Sequence, residues 1–179
     1  MVRSGGRFLP KLGPQRCGPF FFCIRGVTLG AMAPSEPSAE PALGPLIAAA
    51  QAARGHAYAP YSTFPVGAAL RAASGAIFAG ANVENAAFPL GQCAEASAIG
   101  QMISAGERRI AALVVIGGDQ PCPPCGGCRQ RLAEFAGPEL PIHLCASDGR
   151  ELARLTLGEL LPLAFTAALL TPGKATPGA

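Results

Sequence analysis

A chain of 179 residues, half of them hydrophobic and only 14% charged, is long enough to bury one ordinary core. No run of eighteen apolar residues goes without a charge or a proline-glycine break, so a membrane span is not expected. The formal charge of +3 comes from the first 31 residues, where Arg3, Arg7, Lys11, Arg16 and Arg25 meet no acid. The rest holds nine basic residues against eleven acidic ones, a net charge of −2, which argues against a phosphate-tracking surface for DNA or RNA.

Residues 1–31 are rich in glycine and arginine, with one apolar cluster, Phe20 to Ile24, that Arg25 interrupts. With Ala31-Met32-Ala33 behind it, the segment loosely imitates a secretory signal, but its apolar run is short for one. The alternative is a disordered extension or a start placed too early, with Met32 as initiator. Residues 33–41 alternate proline, serine and glutamate and read as a disordered lead-in. One domain is therefore expected over residues 42–168, with 1–41 and 169–179 disordered.

Residues 43–55 predict an alanine-rich helix that ends at Gly55. Two prolines make Tyr58 to Pro65 a loop. Val66 to Ala73 and Ala76 to Val83 predict strands joined by a hairpin at Ser74-Gly75. A helix over about Gln92 to Ala105 follows, with Ala94, Ala98, Ile99 and Met102 on its apolar face. Ile110 to Ile116 is a continuous apolar run, the pattern of a strand covered on both sides. A helix from about Cys125 to Phe135, a strand Pro141 to Cys145, a last short strand over Leu152 to Leu157 and a helical turn at Gly158 to Leu161 complete the order. Strands alternating with helices predict an α/β fold, a sheet sandwiched by helices. His143 alternates with Ile142 and Leu144 and reads as packed or surface-facing. Neither it nor His56 has metal-ligand spacing to the cysteines.

Seven cysteines are an odd number, and four of them, Cys93, Cys122, Cys125 and Cys128, suit a metal site better than a disulfide framework. Reduced thiols point to a reducing compartment, the cytoplasm. Cys93-Ala94-Glu95 and Cys125-Gly126-Gly127-Cys128 together supply three soft ligands and a carboxylate. Structural zinc sites close on four protein ligands, whereas catalytic sites hold three and keep one position open. Cys125 and Cys128 at the start of a helix would place both sulfurs on one face, where the positive end of the dipole favours thiolate. The register Cys122-Pro123-Pro124-Cys125 fits the same spacing, but its two prolines disfavour helix.

A Cys-x-Glu followed by Pro-Cys-x-x-Cys matches the signature of zinc-dependent nucleobase and nucleoside deaminases, whose Glu is an acid/base and not a ligand. Three more strings, Pro60-Tyr-Ser-Thr-Phe-Pro-Val-Gly-Ala-Ala-Leu70, Asn82-Val-Glu-Asn-Ala86 and Cys125-Gly-Gly-Cys-Arg-Gln130, resemble the cytidine deaminases specifically, in the right order, over about residues 43–166. The resemblance implies a three-layer α/β/α sandwich on a mixed five-stranded sheet. It implies one Zn²⁺ per subunit on Cys93, Cys125 and Cys128, with Glu95 moving protons while water replaces the 4-amino group of cytidine or deoxycytidine. Asn82 and Glu84 would hold the ribose hydroxyls, Phe64 would pack on the pyrimidine, and Ala94 would contact the base through its backbone. Three thiolates leave the zinc site formally at −1, and Arg129 is the cation expected to compensate it. Many relatives carry an arginine where this chain has Ala96, and often a tyrosine at Phe88. Phe88 and Phe165 are candidate contacts across a subunit boundary, and the resemblance implies a homotetramer serving pyrimidine salvage. The competing readings are a deaminase for another small aminopyrimidine nucleoside, such as blasticidin S, and a zinc-stabilised or redox-sensing module without turnover.

Overall fold

The computed structural model describes residues 42–170. The expectations for residues 1–41 and for the tail beyond Leu170 lie outside them. Helix α1 (Gly44–Arg54) opens with Pro45, whose missing N–H is no loss in a first turn. It is followed by strands β1 (Gly67–Ala72) and β2 (Ile77–Ala81), which meet at the Ser74-Gly75 hairpin. Helix α2 (Ala94–Ser104), β3 (Ile110–Ile116), α3 (Gly126–Phe135), β4 (Pro141–Cys145) and β5 (Glu151–Thr156) continue the alternation. Two short helices, α4 (Leu157–Leu160) and α5 (Ala167–Leu170), end it, the second reaching two residues past the expected boundary at 168. A capping box between Thr156 and Glu159 starts α4.

The sheet is mixed and five-stranded, in the order β2-β1-β3-β4-β5. Only β3 and β4 run parallel. A parallel pair needs a crossover, and α3 provides it. The sheet has one apolar cluster on each side. Leu46 and Ala50 of α1 pack with Ala69, Ala112, Val114, Ile116 and Cys145, while α2 and α3 pack with Ala68, Leu70, Leu113, Val115, Ile142 and Leu144. The four residues expected on the apolar face of α2 are all buried, and β3 is covered on both faces except at Ala111. His143 is buried and shares a hydrogen bond of 3.0 Å with Glu151, between its Nδ1 and the Oε1.

The register places the site. Gly67, the first residue of β1, pairs with Ala81 at the end of β2 and with Ile116 at the end of β3. The segments that leave those strand ends, around residues 64–66, 82–84 and 117–125, therefore converge at one edge of the sheet. Carboxyl ends of strands in open α/β sheets are where such folds bind ligands.

Candidate active site

Cys93 and Cys125 are the N-cap residues of α2 and α3, both in extended conformation, and Cys128 lies in the first turn of α3, fully buried. Both helices start one or two residues later than the sequence pattern indicates. The three sulfurs lie within 4.8 Å of one another, and the Sγ atoms of Cys93 and Cys125 are 3.7 Å apart. Tetrahedral zinc with Zn–S near 2.3 Å places two sulfurs about 3.8 Å apart, so the cluster is already spaced for the ion. It also selects between the two registers: Cys125 and Cys128 converge with Cys93, and Cys122 stands aside.

Burial raises the Cys93 and Cys128 thiols, whereas the hydrogen bond from the Cys128 backbone helps hold Cys125 below its ordinary value. Three sulfurs crowded at two helix ends suit a cation better than three protons.

Glu95 follows Cys93 by two residues in the first turn of α2 and is only 4% exposed. Desolvation raises its pKa, opposed by its own backbone N–H, by Cys128 and by the charge of Arg131. Arg129 makes different contacts from those expected. Its Nε donates to the Pro124 carbonyl at 2.7 Å and its Nη1 to the Leu160 carbonyl at 2.8 Å, so these donors tie the Cys125 loop to α4 and do not reach sulfur. Arg131, which the motif does not include, is the arginine whose charge is felt at Glu95. Its place one helical turn after Cys128 is the signal that could have found it.

A cavity of about 270 Å³ opens beside these groups, lined by Val66, Asn82, Val83, Glu84, Gly91, Gln92, Cys93, Ala94, Glu95 and Cys122. Val66, Val83, Gly91 and Gln92 among its walls were not candidate site residues from the sequence, and Cys122 is the thiol of the competing register. A second opening, against Tyr61, Ser62, Asn85 and Phe88, shares Glu84 and Gly91 with it. No lysine or arginine lines either one.

The expected sugar-binding pair is present, but its polar atoms already have partners. Asn82 accepts from the Val66 N–H at 2.9 Å through Oδ1 and donates through Nδ2 to the Phe64 carbonyl at 3.0 Å. The Glu84 carboxylate accepts from the N–H groups of Tyr61 at 2.8 Å and Ser62 at 3.2 Å. Hydrogen bonding, from the Ser62 side chain first, holds its pKa below the ordinary carboxylate value. Phe64 is 48% exposed and reaches the neighbourhood of Gly117. Phe88 lies in a short 3₁₀ turn, Phe88–Leu90, that the sequence pattern does not reveal, and it meets Tyr61 edge to face at 5.9 Å between ring centroids.

The sequence pattern that defines the cytidine and deoxycytidylate deaminase zinc-binding region matches residues 44–144. The chain belongs to this family. A cytidine deaminase of Sporosarcina psychrophila is 44% identical over 122 residues, covering 68% of this chain and 89% of that protein. One from Mycobacterium tuberculosis is 43% identical over 118 residues, covering 65% and 84%. Among solved structures, the cytidine deaminase of Burkholderia pseudomallei superposes with a TM-score of 0.64 at 46% identity, covering 68% of this chain and 98% of that one. Membership accounts for the mixed sheet and for a zinc site built on Cys93, Cys125 and Cys128.

Proposed function

We propose that this enzyme hydrolyses the exocyclic C4–N bond of cytidine and 2′-deoxycytidine, giving uridine or deoxyuridine and ammonia. The observation that carries the reading is the buried Glu95 beside three convergent sulfurs that leave a metal one open position. Cys93, Cys125 and Cys128 would hold Zn²⁺, which when bound would supply a Lewis acid that lowers the pKa of a water.

The protein side chains carry the rest. Glu95, with its pKa raised by burial, is suited to both accept and return a proton. It takes one from the attacking water and delivers it to N3 of the pyrimidine as the C4–O bond forms. It then takes the remaining proton from the new C4 hydroxyl and carries it to the 4-amino group as the C4–N bond breaks and ammonia leaves, which leaves the C4 carbonyl of the product. The Ala94 backbone lies at the cavity wall beside Glu95 and suits a contact to the base edge. Phe64 supplies an aromatic face, and Asn82 and Glu84 are neutral and anionic acceptors at the mouth. Such acceptors match sugar hydroxyls and repel a 5′-phosphate, which would call for arginine. Residues 42–168 form the catalytic domain.

No helix among the described residues is long and apolar enough to cross a membrane. The free cysteines suit the cytoplasm and a role in pyrimidine salvage. Phe88, Leu90, Leu163 and Phe165 are all more than half exposed, and such exposed apolar side chains support a homotetramer with Phe88 and Phe165 at subunit boundaries. The test is to incubate the protein with cytidine, deoxycytidine, CMP and cytosine and follow the ultraviolet absorbance, with and without a chelator. Conversion of both nucleosides and its loss on chelation are expected, and inertness toward both nucleosides would refute the reading.

A further inference from the structure

From the close approaches at the edge of the sheet, we infer that Arg54 is a positioning residue for the pyrimidine wall, acting from the opposite face of the sheet. The inference rests on the reading of Phe64 as the side chain that packs on the base. Arg54 is the last residue of α1, the helix on the side away from the three sulfurs, and is partly buried. Its Nε–H points between two carbonyls, donating to Gly117 at 2.7 Å and to Pro65 at 3.2 Å. Pro65 directly follows Phe64, and Gly117 directly precedes the loop that carries Cys122. One N–H thus joins the two backbone segments that present Phe64 and Cys122.

Both glycines at this point are there for space. A Cβ on Gly117 would lie 2.6 Å from the Cys122 Cβ and 3.1 Å from the Phe64 Cζ, so the bare backbone lets these two side chains come together. A Cβ on Gly67 would lie 2.1 Å from the Ala50 carbonyl and 2.7 Å from the Arg54 Cβ, so Gly67 lets the end of α1 come close enough for Arg54 to reach. Thr63 adds a reason for a clamp. It is the one non-glycine among the described residues with positive φ, at 54°, a conformation that a β-branched residue keeps only where its surroundings enforce it. Asn82 fixes the Phe64 carbonyl and the Val66 N–H, and Arg54 fixes the Pro65 carbonyl between them. Three consecutive residues are thereby held, and Phe64 is aimed both from the end of α1 and from the segment that follows β2.

Arg54→Gln should raise KM for cytidine about tenfold, the scale of one lost charge-assisted hydrogen bond. It should leave kcat within about twofold, zinc content unchanged and the pH–rate profile superimposable on that of the parent. Arg54→Lys should recover part of the loss in KM. Gly117→Ala, which pushes the same wall from the other side, should raise KM in the same selective way and decides the matter if Arg54→Gln does not fold. Phe64→Ala is the reference. If it raises KM while Arg54→Gln and Gly117→Ala do not, the clamp is wrong and the wall stands; if none of the three raises KM, the wall is wrong and the clamp with it. A fall in kcat or zinc content in step with the rise in KM would also overturn the proposal, because it would mark Arg54 as a general prop.

Discussion

The two ends of the cavity are built differently. At the metal end, Cys93, Ala94, Glu95, Cys125 and Cys128 sit on helix caps and first turns, and Ala94, Glu95 and Cys128 are nearly or fully buried. At the sugar end, Phe64, Asn82 and Glu84 lie outside the helices and strands, and the hydrogen bonds that fix them join residues 16 to 23 apart in sequence. On the proposed reading, groups at the metal end would have chemistry as their main work. Groups at the sugar end would serve two purposes, since Asn82 and Glu84 hold the loop that they share with the substrate. Substitutions should separate activity from stability at one end and couple them at the other.

The largest effect is expected from Cys128→Ala, which removes a fully buried ligand. Zinc measured by atomic emission should fall well below one per chain and activity should vanish; a variant that retains both would dissolve the assigned metal end. Glu95→Gln comes next. It should keep zinc and thermal stability while kcat falls by about 10²–10⁴, the range for a lost acid/base. A variant with unaltered kcat would remove Glu95 from the chemistry.

Asn82→Ala should act on both properties. Two hydrogen bonds to the loop backbone are lost at about 0.5–1.5 kcal/mol each, so Tm should drop as KM rises about tenfold. A rise in KM without a change in Tm would erase the contrast between the ends. The smallest effect belongs to Glu84→Gln and is read through pH. The folded-state pKa of Glu84 is depressed, so its contribution is full above about pH 4.5 and is lost as the pH falls through the lowered folded value. Scanning fluorimetry should find a constant gap in Tm between parent and variant from about pH 8 to pH 5 and a narrowing gap below. A gap that widens in acid would reverse the sign argued for Glu84.

The same division explains what could be read from the sequence. All five strands, and the helices that carry the site, follow from runs such as Ile110 to Ile116 and from the stripe Ala94, Ala98, Ile99 and Met102, because burial repeats with the period of the element. The ligand register was legible too. Prolines between Cys122 and Cys125 argue against helix there, and α3 starts after Cys125. Roles that depend on long-range approach were not legible. That Asn82 spends its amide on Phe64 and Val66, and that Arg54 reaches the Gly117 carbonyl, follow from the pairing of Gly67 with Ala81 and Ile116. Local pattern carries no record of that pairing. The 3₁₀ turn at Phe88–Leu90 escaped because three residues around a proline have no period to detect.

The central claim is a single catalytic zinc on three thiolates with Glu95 beside it. Its most direct test is to strip the metal with a chelator and titrate Zn²⁺ back while following both cytidine turnover and bound zinc. Activity should rise from nothing in proportion to bound metal and reach its plateau at one zinc per chain. Full turnover by the stripped protein, or a plateau at two zinc ions per chain, would contradict the claim.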